Sequence, residues 1–332
     1  VVPLAGDHRV AEAFRTEHLL KPRESLDGIG LSKRKLQGLE RFGSTRQVAA
    51  LDILSRGKGS NEFSDLKRAI DQANTAPGVW IDLGDALADD LDEAIDPEDL
   101  KSIRRAAREF LRVHNDEQRP RPYYAVLHAD GDGMGAYLSH LTRAEDHQRF
   151  SSCLGGFARD VAGLFPKDGF GDPAGQLVYA GGDDVVALVP ARDAVRWARS
   201  VHDCFARWME KAPGTGAKPT LTVGIAIVHS LEDLQQGVRL SVAAEHAGKE
   251  IEDKDALCIM AAPRSGGTHE FRERWDQNPD VLVEAVMGAF ANDQIPRGFG
   301  GEVQRLAADM NAIGASEALV VAEFDRMCGK RE

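Results

Sequence analysis

The pattern of apolar positions divides the chain into a helical first third and a mixed second part. Up to about residue 119, apolar residues recur at helical spacing and no segment alternates as a half-buried strand would. The spacing predicts helices over Val10–Leu20, Ser32–Leu39, Ser44–Leu54, Glu62–Ala73 and Pro97–Val113. The polar, proline-containing stretch 115–122 then predicts a domain boundary.

Beyond this boundary, short apolar runs alternate with longer segments of helical spacing. The runs predict strands over Tyr124–Ala129, Thr220–His229 and Ala256–Met260, together with a hairpin over residues 176–189. Between them the pattern predicts helices over Ala144–Phe165, Arg192–Met209 and Leu231–Ile251. This order is typical of an α+β fold with a ferredoxin-like βαββαβ palm domain, extended by one helix and one strand, with helices on one face of the sheet.

The last part of the chain follows a loop at Pro263–Gly267 and is predicted to be helical, over Val281–Ala291 and from Gly301 to about Met327. The chain is therefore predicted to contain three domains. They are a helical domain over residues 1–119, the palm domain over 120–263 and a C-terminal helical domain over 264–332.

The predicted hairpin carries the tetrad Gly181–Gly182–Asp183–Asp184 between two apolar runs. Glycine permits positive φ in the tight turn and close approach of another molecule. Two carboxylates at such a tip favour a divalent cation, because magnesium prefers hard oxygen ligands and usually binds together with phosphates. The alternative is an ordinary solvated turn, in which glycine and aspartate are common.

A second apolar strand, Tyr123–Ala129, ends in Asp130–Gly131–Asp132–Gly133. If the two strands are antiparallel neighbours, Asp130 lies near the hairpin tip, and three carboxylates surround one or two cations. Paired metals about 4 Å apart are typical of in-line phosphoryl transfer. The backbone amides of Gly131–Gly135 are then placed to contact a triphosphate. A calcium loop is the alternative, but the twelve-residue EF-hand spacing and its closing glutamate are missing.

Composition narrows the class of protein further. The chain has 332 residues, a net charge of −12 and no apolar run near the ~20 residues that span a bilayer. Four cysteines lie far apart without a CxxC pair, which predicts reduced thiols in the cytoplasm rather than a zinc ribbon or disulfides. The acidic balance argues against a nucleic-acid-coating protein but leaves room for a local basic face. Because the chain begins with Val1, we expect a fragment of a longer protein.

The motifs at residues 123–135 and 177–184 closely resemble the second palm domain of the large, polymerase-like subunit of type III-B CRISPR–Cas effector complexes. Gly224–His229 is similar to the family's next strand, and Lys249 with Lys254–Leu257 to its following helix and last strand. The resemblance extends over roughly residues 15–266.

The resemblance implies an enzyme that condenses ATP into cyclic oligoadenylates when the assembled complex, with its guide RNA and partner subunits, binds target RNA. It implies Mg²⁺ or Mn²⁺ as the cofactor, and Asp130, Asp183 and Asp184 as catalytic and metal-binding residues. The residues that it implies for ATP binding are Gly131, Asp132, Gly133, Gly181, Gly182, Lys249 and Lys254.

Two other functions stay open at this stage. One is a scaffold subunit that binds guide RNA and partner subunits through a silent palm domain, although intact acids at all three positions count against silence. The other is a stand-alone enzyme similar to diguanylate cyclases, whose hairpin carries Glu and usually Phe where this chain has Asp184 and Val185. The pair His202–Asp203 lies in a predicted helix without companion histidines, so we interpret it as a packed or solvated pair rather than a nuclease site.

Overall fold

The computed structural model describes residues 43–76, 81–88, 91, 95–114 and 121–292, together with scattered single positions beyond residue 292. The helices predicted over Val10–Leu20 and Ser32–Leu39 lie outside the described residues, as does nearly all of the one predicted over 301–327. The chain divides into two compact units, residues 1–277 and 278–332. Among the described helices, none has the length and apolar character that crossing a bilayer requires.

Among the described residues, four helices precede the sheet: α1 (Thr45–Gly57), α2 (Asn61–Ala73), α3 (Leu83–Ala86) and α4 (Pro97–His114). Ser44 and Ser60 cap α1 and α2, because their side chains accept hydrogen bonds from backbone N–H groups in the first turn. Asp82 caps α3 and also accepts a hydrogen bond from Ser44 N at 2.7 Å. Helices α1, α2 and α4 confirm the prediction to within three residues, whereas the short α3 was not predicted.

These helices share an apolar core that includes Leu66 of α2 and Phe110 of α4. Helix α1 belongs to two cores at once. Its Leu54 lies in the helical core, whereas Val48 and Ala49 pack with the apolar face of the sheet. The helical region is therefore joined to the sheet through α1.

The sheet has six strands in the order β2-β3-β1-β4-β5-β6. Strands β4 and β5 are parallel, and all other neighbours are antiparallel. Their bounds are β1 Tyr123–Asp132, β2 Gln176–Gly181, β3 Asp184–Pro190, β4 Thr220–His229, β5 Ala256–Ala262 and β6 His269–Arg274. All but β6 were predicted. That strand pairs with β5 along its edge, so the sheet continues past residue 263.

Helices cover both faces of the sheet, and their bounds are α5 Met134–His140, α6 Ala144–Leu164, α7 Ala194–Met209 and α8 Leu234–Lys249. Along β1, Tyr124 and Val126 pack beneath α1 and α8. The intervening Leu127 is equally buried, and it faces the opposite side, where α6 and α7 lie. The predicted palm has helices on one face only; the crossover from β4 to β5 adds α8 on the other. In the second unit, α9 (Pro279–Ala291) matches the predicted helix.

Helix α8 approaches β4 at backbone distance. A Cβ added to Gly224 would lie 2.3 Å from Glu245 N and 2.5 Å from Ser241 O, so only glycine fits there. A Cβ on Gly248 would lie 2.7 Å from the Thr222 methyl group. This close contact fixes the last turn of α8 over the end of β1, where the acidic residues lie.

Candidate active site

The pairing of β1 with β3 brings the predicted acids together. The register places Ala129 opposite Val185, so that Asp130 and Asp184 are the next residues on two neighbouring antiparallel strands. The hairpin turn is Gly182–Asp183, and Gly182 has a φ of +66°, which suits glycine at the first central position of a hairpin turn.

The third carboxylate lies against the backbone of β1. A Cβ on Gly131 would be 2.7 Å from Asp183 Oδ2, so this glycine makes room for the Asp183 side chain. Asp184 adjoins Asp130 across the two strands, and the contact with Asp130 acts on its carboxyl group. The structure thus places Asp130, Asp183 and Asp184 at one edge of the sheet, as the sequence predicts.

Crowding of like charges changes the acidity of all three groups. Burial raises the pKa of Asp184 to about 6, with further contributions from its hydrogen bond to Asp130 and from the charges of Asp130 and Asp183. Burial, and then the charge of Asp130, also raise the pKa of Asp183. For Asp130 the effect of burial is outweighed, because hydrogen bonds from Lys249 and Asp184 hold its pKa below the usual value.

Lys249 at the end of α8 supplies the positive charge. Its ammonium group donates hydrogen bonds to Asp130 and, across one helical turn, forms an ion pair with Glu245 at 2.7 Å. The Glu245 side chain is only 2% exposed. Burial lowers the pKa of Lys249, but its bonds to Asp130 and Glu245 outweigh this and raise it overall. Lys249 therefore reaches the predicted site, bound to the acids.

Asp132 is oriented into the protein. Its Oδ2 accepts hydrogen bonds from the hydroxyls of Thr220 and Thr222 on β4, at 3.0 and 2.8 Å, and lies 3.3 Å from Asp255 N. Burial raises the pKa of this carboxyl despite the two hydroxyls. Asp132 thus joins β1, β4 and the turn before β5 beneath the acids, and its buried Oδ1 has no partner among the described residues.

The other predicted ATP-binding residues lie in turns. Gly133 has a φ of +69° and begins α5, and Gly181 lies beneath the Tyr179 hydroxyl. Lys254 occupies a turn in which three consecutive residues, Asp253 to Asp255, have positive φ. Within the described part of the chain, its side chain makes no hydrogen bond or ion pair that would direct it to the acids.

Three residues that the sequence analysis did not select support the site: Glu245, Thr220 and Thr222. Glu245 carries a readable signal, because a glutamate four residues before a lysine is the favourable helical arrangement. The two threonines gave none, since they are ordinary residues of a strand. His202, which was interpreted as packed, stacks on Trp275 and binds Asp255 Oδ1 at 2.9 Å.

Residues 123–258 match the family model of the second palm domain of Cas10/Cmr2. This segment belongs to that family. The matched segment extends from the start of β1 into β5, and it contains Asp130, Asp183 and Asp184.

The chain is also similar to individual relatives and solved structures. The Cmr2 subunit of the CRISPR Cmr system of Pyrococcus furiosus is 26% identical over 213 residues, which is 55% of this chain and 23% of that protein. The type III-B Cmr-β complex in its apo state has a chain with 15% identity and a TM-score of 0.39, over 73% of this chain and 37% of that one. A Csm1–Csm4 cassette in complex with one ATP has 18% identity and a TM-score of 0.32, over 40% and 20% of the two chains.

The carboxylate oxygens of Asp130, Asp183 and Asp184 are suitable ligands for a divalent cation, but in this structure they contact one another and Lys249. Within the described residues, no three His, Cys, Asp or Glu side chains stand arranged to hold a metal ion. The Lys249 ammonium, which donates a hydrogen bond to Asp130, balances part of the negative charge of the three acids. The donor chemistry of Asp130, Asp183 and Asp184 fits Mg²⁺ or Mn²⁺, which would take over this balancing of charge.

Lys249→Met is expected to destabilise the palm domain by roughly 2–3 kcal/mol, because it leaves the buried Glu245 without its cation. The double variant Lys249→Met/Glu245→Gln should recover most of this loss, since the uncompensated charge is gone. Urea denaturation of parent, single and double variants measures the effect. Equal stability of the single and double variants would show that Glu245 does not depend on Lys249.

Proposed function

We propose that the palm domain is the nucleotidyltransferase of a type III CRISPR RNA-guided antiviral complex, in which it condenses ATP into cyclic oligoadenylates after target RNA binds. One observation carries the proposal. Asp130, Asp183 and Asp184 converge with Lys249 beside two glycine-rich turns, which is the chemistry that phosphoryl transfer requires. Membership in the Cas10/Cmr2 palm family supports it.

In the proposed reaction, the 3′-hydroxyl of one ATP attacks the α-phosphorus of another. A new P–O bond forms, the bond between the α-phosphorus and its bridging oxygen breaks, pyrophosphate leaves, and the hydroxyl proton passes to water. Repetition and closure of the chain give the cyclic product. Bound Mg²⁺ or Mn²⁺, held by Asp130, Asp183 and Asp184, would neutralise charge on the attacking and leaving oxygens.

The turns and lysines of the site would bind the nucleotide. Gly133 and Gly182 have open space where a side chain would stand, which suits contact of the backbone N–H groups around them with phosphate oxygens, whereas Asp183 lies against Gly131 and Tyr179 lies against Gly181. Lys249, once released from Asp130, and Lys254 would meet the triphosphate as point charges. Asp132 would act beneath the nucleotide, by holding the α8–β5 turn that carries Lys254.

The proposed partners are ATP, the other subunits of the type III-B complex, and guide and target RNA bound through that complex in the cytoplasm. The matched region spans less than a quarter of the P. furiosus relative, 23% of its length. Turnover is therefore proposed for the palm domain within its assembly, whereas binding of nucleotide is proposed for the chain alone.

The test is incubation with radiolabelled ATP and Mn²⁺, with and without partner subunits, guide RNA and target RNA, followed by chromatography of the products. Cyclic oligoadenylates that appear only with target RNA support the proposal. Conversion of GTP to cyclic dinucleotides by the chain alone would instead make it similar to diguanylate cyclases. An assembled complex that binds target RNA but forms no product would identify a silent scaffold.

Asp130→Asn is expected to weaken Mn²⁺ binding at least about tenfold, because it removes a charged oxygen ligand. Calorimetric titration of Mn²⁺ in the presence of a non-hydrolysable ATP analogue measures this. Asp168→Asn is the matched control, since Asp168 pairs with Lys58 outside the site. If both variants bind Mn²⁺ as the parent does, Asp130 is only a turn residue.

A further inference from the structure

Helix α4 carries a concentration of positive charge that the palm domain does not use. Lys101, Arg104, Arg105 and Arg108 are all exposed. At 100° per residue they fall within about 100° of the helix circumference, over a length of ~10 Å. We refer to these four residues as the basic stripe. It belongs to a chain whose net charge is −12.

The basic stripe is held rigidly and faces away from the core. On its opposite side α4 buries Ile103, Ala107 and Phe110 among the other helices of the region. A helix of 18 residues anchored in this way keeps the four cationic side chains in one row. Side chains three or four residues apart on a helix are separated by ~5–6 Å, so the row presents regularly spaced charges.

The side chains of the basic stripe have no acidic partner among the residues that the structure describes. Within the described part of the chain, none of its four side chains forms an ion pair, and Arg108 Nε donates only to the Arg104 carbonyl oxygen. Some other arginines of this protein are paired with acids. On α7, for example, Arg196 pairs with Asp172 at 2.9 Å and Arg199 with Asp203 at 3.6 Å. In the following turn of α4, Glu109 already accepts hydrogen bonds from Nε and Nη2 of Arg112.

We propose that the basic stripe binds the phosphate backbone of a nucleic acid strand without reading its sequence. Regular cations on a rigid helix match the repeated charges of such a strand, and guanidinium groups bind phosphate in a two-pronged manner. An acidic protein is the competing partner, but protein interfaces need an apolar centre. The only large exposed apolar side chain described on α4 is Val113, which lies ~120° around the helix from Lys101. Nucleic acid interfaces are more polar and more positive.

Binding of the full chain to a fluorescein-labelled 20-nucleotide oligouridylate, followed by fluorescence anisotropy at several salt concentrations, tests the proposal. Arg104→Gln/Arg108→Gln should weaken binding about tenfold and make the slope of log K against log[salt] shallower by ~1.4. Arg149→Gln/Arg159→Gln is the matched control, because it removes two exposed arginines from α6. This control should change affinity less than twofold.

Three outcomes would overturn the proposal. Equal losses of affinity in the stripe variant and the control would indicate an effect of net charge alone, and an unchanged affinity of the stripe variant would show that the stripe does not bind the strand. Displacement of the oligouridylate by poly-glutamate at equal charge concentration would indicate an acidic protein partner. A labelled RNA duplex of the same length distinguishes single strands from duplexes. ATP is absent from the assay, so its result is independent of the proposed cyclisation.

Discussion

Asp183→Asn and Asp184→Asn are each expected to reduce ATP condensation at least about a thousandfold in the assembled complex. Loss of a metal ligand removes several kcal/mol of transition-state stabilisation, and about 4 kcal/mol corresponds to this factor. The fold should survive, because the three carboxylates repel one another and burial opposes their charge. We expect the free energy of unfolding to be equal to or higher than that of the parent.

Product chromatography and urea denaturation on the same preparations separate the two effects. Asp65→Asn serves as the control, since Asp65 is exposed and pairs with Arg68 on α2, away from the site. A double variant that still forms oligoadenylates at the parent rate would disprove the assignment of Asp183 and Asp184 as catalytic metal ligands. A variant that loses activity together with several kcal/mol of stability would show that the acids are structural.

Gly224→Val is expected to cost more than about 3 kcal/mol of stability and to displace the end of α8. Its Cβ would lie 2.3 Å from the backbone nitrogen of Glu245, and backbone cannot give way as a flexible side chain does. Because Glu245 and Lys249 lie on the displaced turn, Mn²⁺ and nucleotide binding should weaken as well. Urea denaturation and calorimetry measure the two effects.

The control substitution is expected to change the free energy of unfolding in the opposite direction. Gly163 lies exposed in α6 with nothing within 4 Å of an added Cβ. Gly163→Ala should therefore leave the protein as stable as the parent or stabilise it by up to about 1 kcal/mol. A Gly224→Val protein that unfolds at the parent's urea concentration would mean that α8 does not rest on β4 as closely as described.

The convergence of the acids could be predicted because it depends on local features. Asp130 ends one apolar strand and Asp184 begins another, and two antiparallel strands joined in one sheet bring such ends together. The partners of Lys249 depend instead on the crossover from β4 to β5, which places α8 on the sheet at one particular height. The spacing of residues along the chain does not predict the position of α8 on the sheet. That position is set by the close contact between Gly224 and α8.

Two further features escaped prediction for physical reasons. Strand β6 reads His269–Arg274, in which Phe271 is the only apolar residue, so neither alternation nor a buried run marks it as a strand. It is held at the sheet edge by pairing with β5 and by ion pairs such as Arg274 with Asp253. Asp132 was expected to face a ligand, yet two hydroxyls on the neighbouring strand bind it first.

Helix α1 packs in both the helical core and the core of the sheet, which limits where such proteins can be cut and joined to others. The sequence of residues 115–122 predicts a domain boundary. Val48 and Ala49, which precede this boundary in the chain, nevertheless cover Tyr124 and Leu188, which follow it. A hydrogen bond of 2.6 Å from Thr45 Oγ1 to Ser230 O secures the same contact. A gene fusion that exchanged the chain at this boundary would expose the apolar face of the sheet that α1 covers. The transferable module therefore begins at the serine that caps α1.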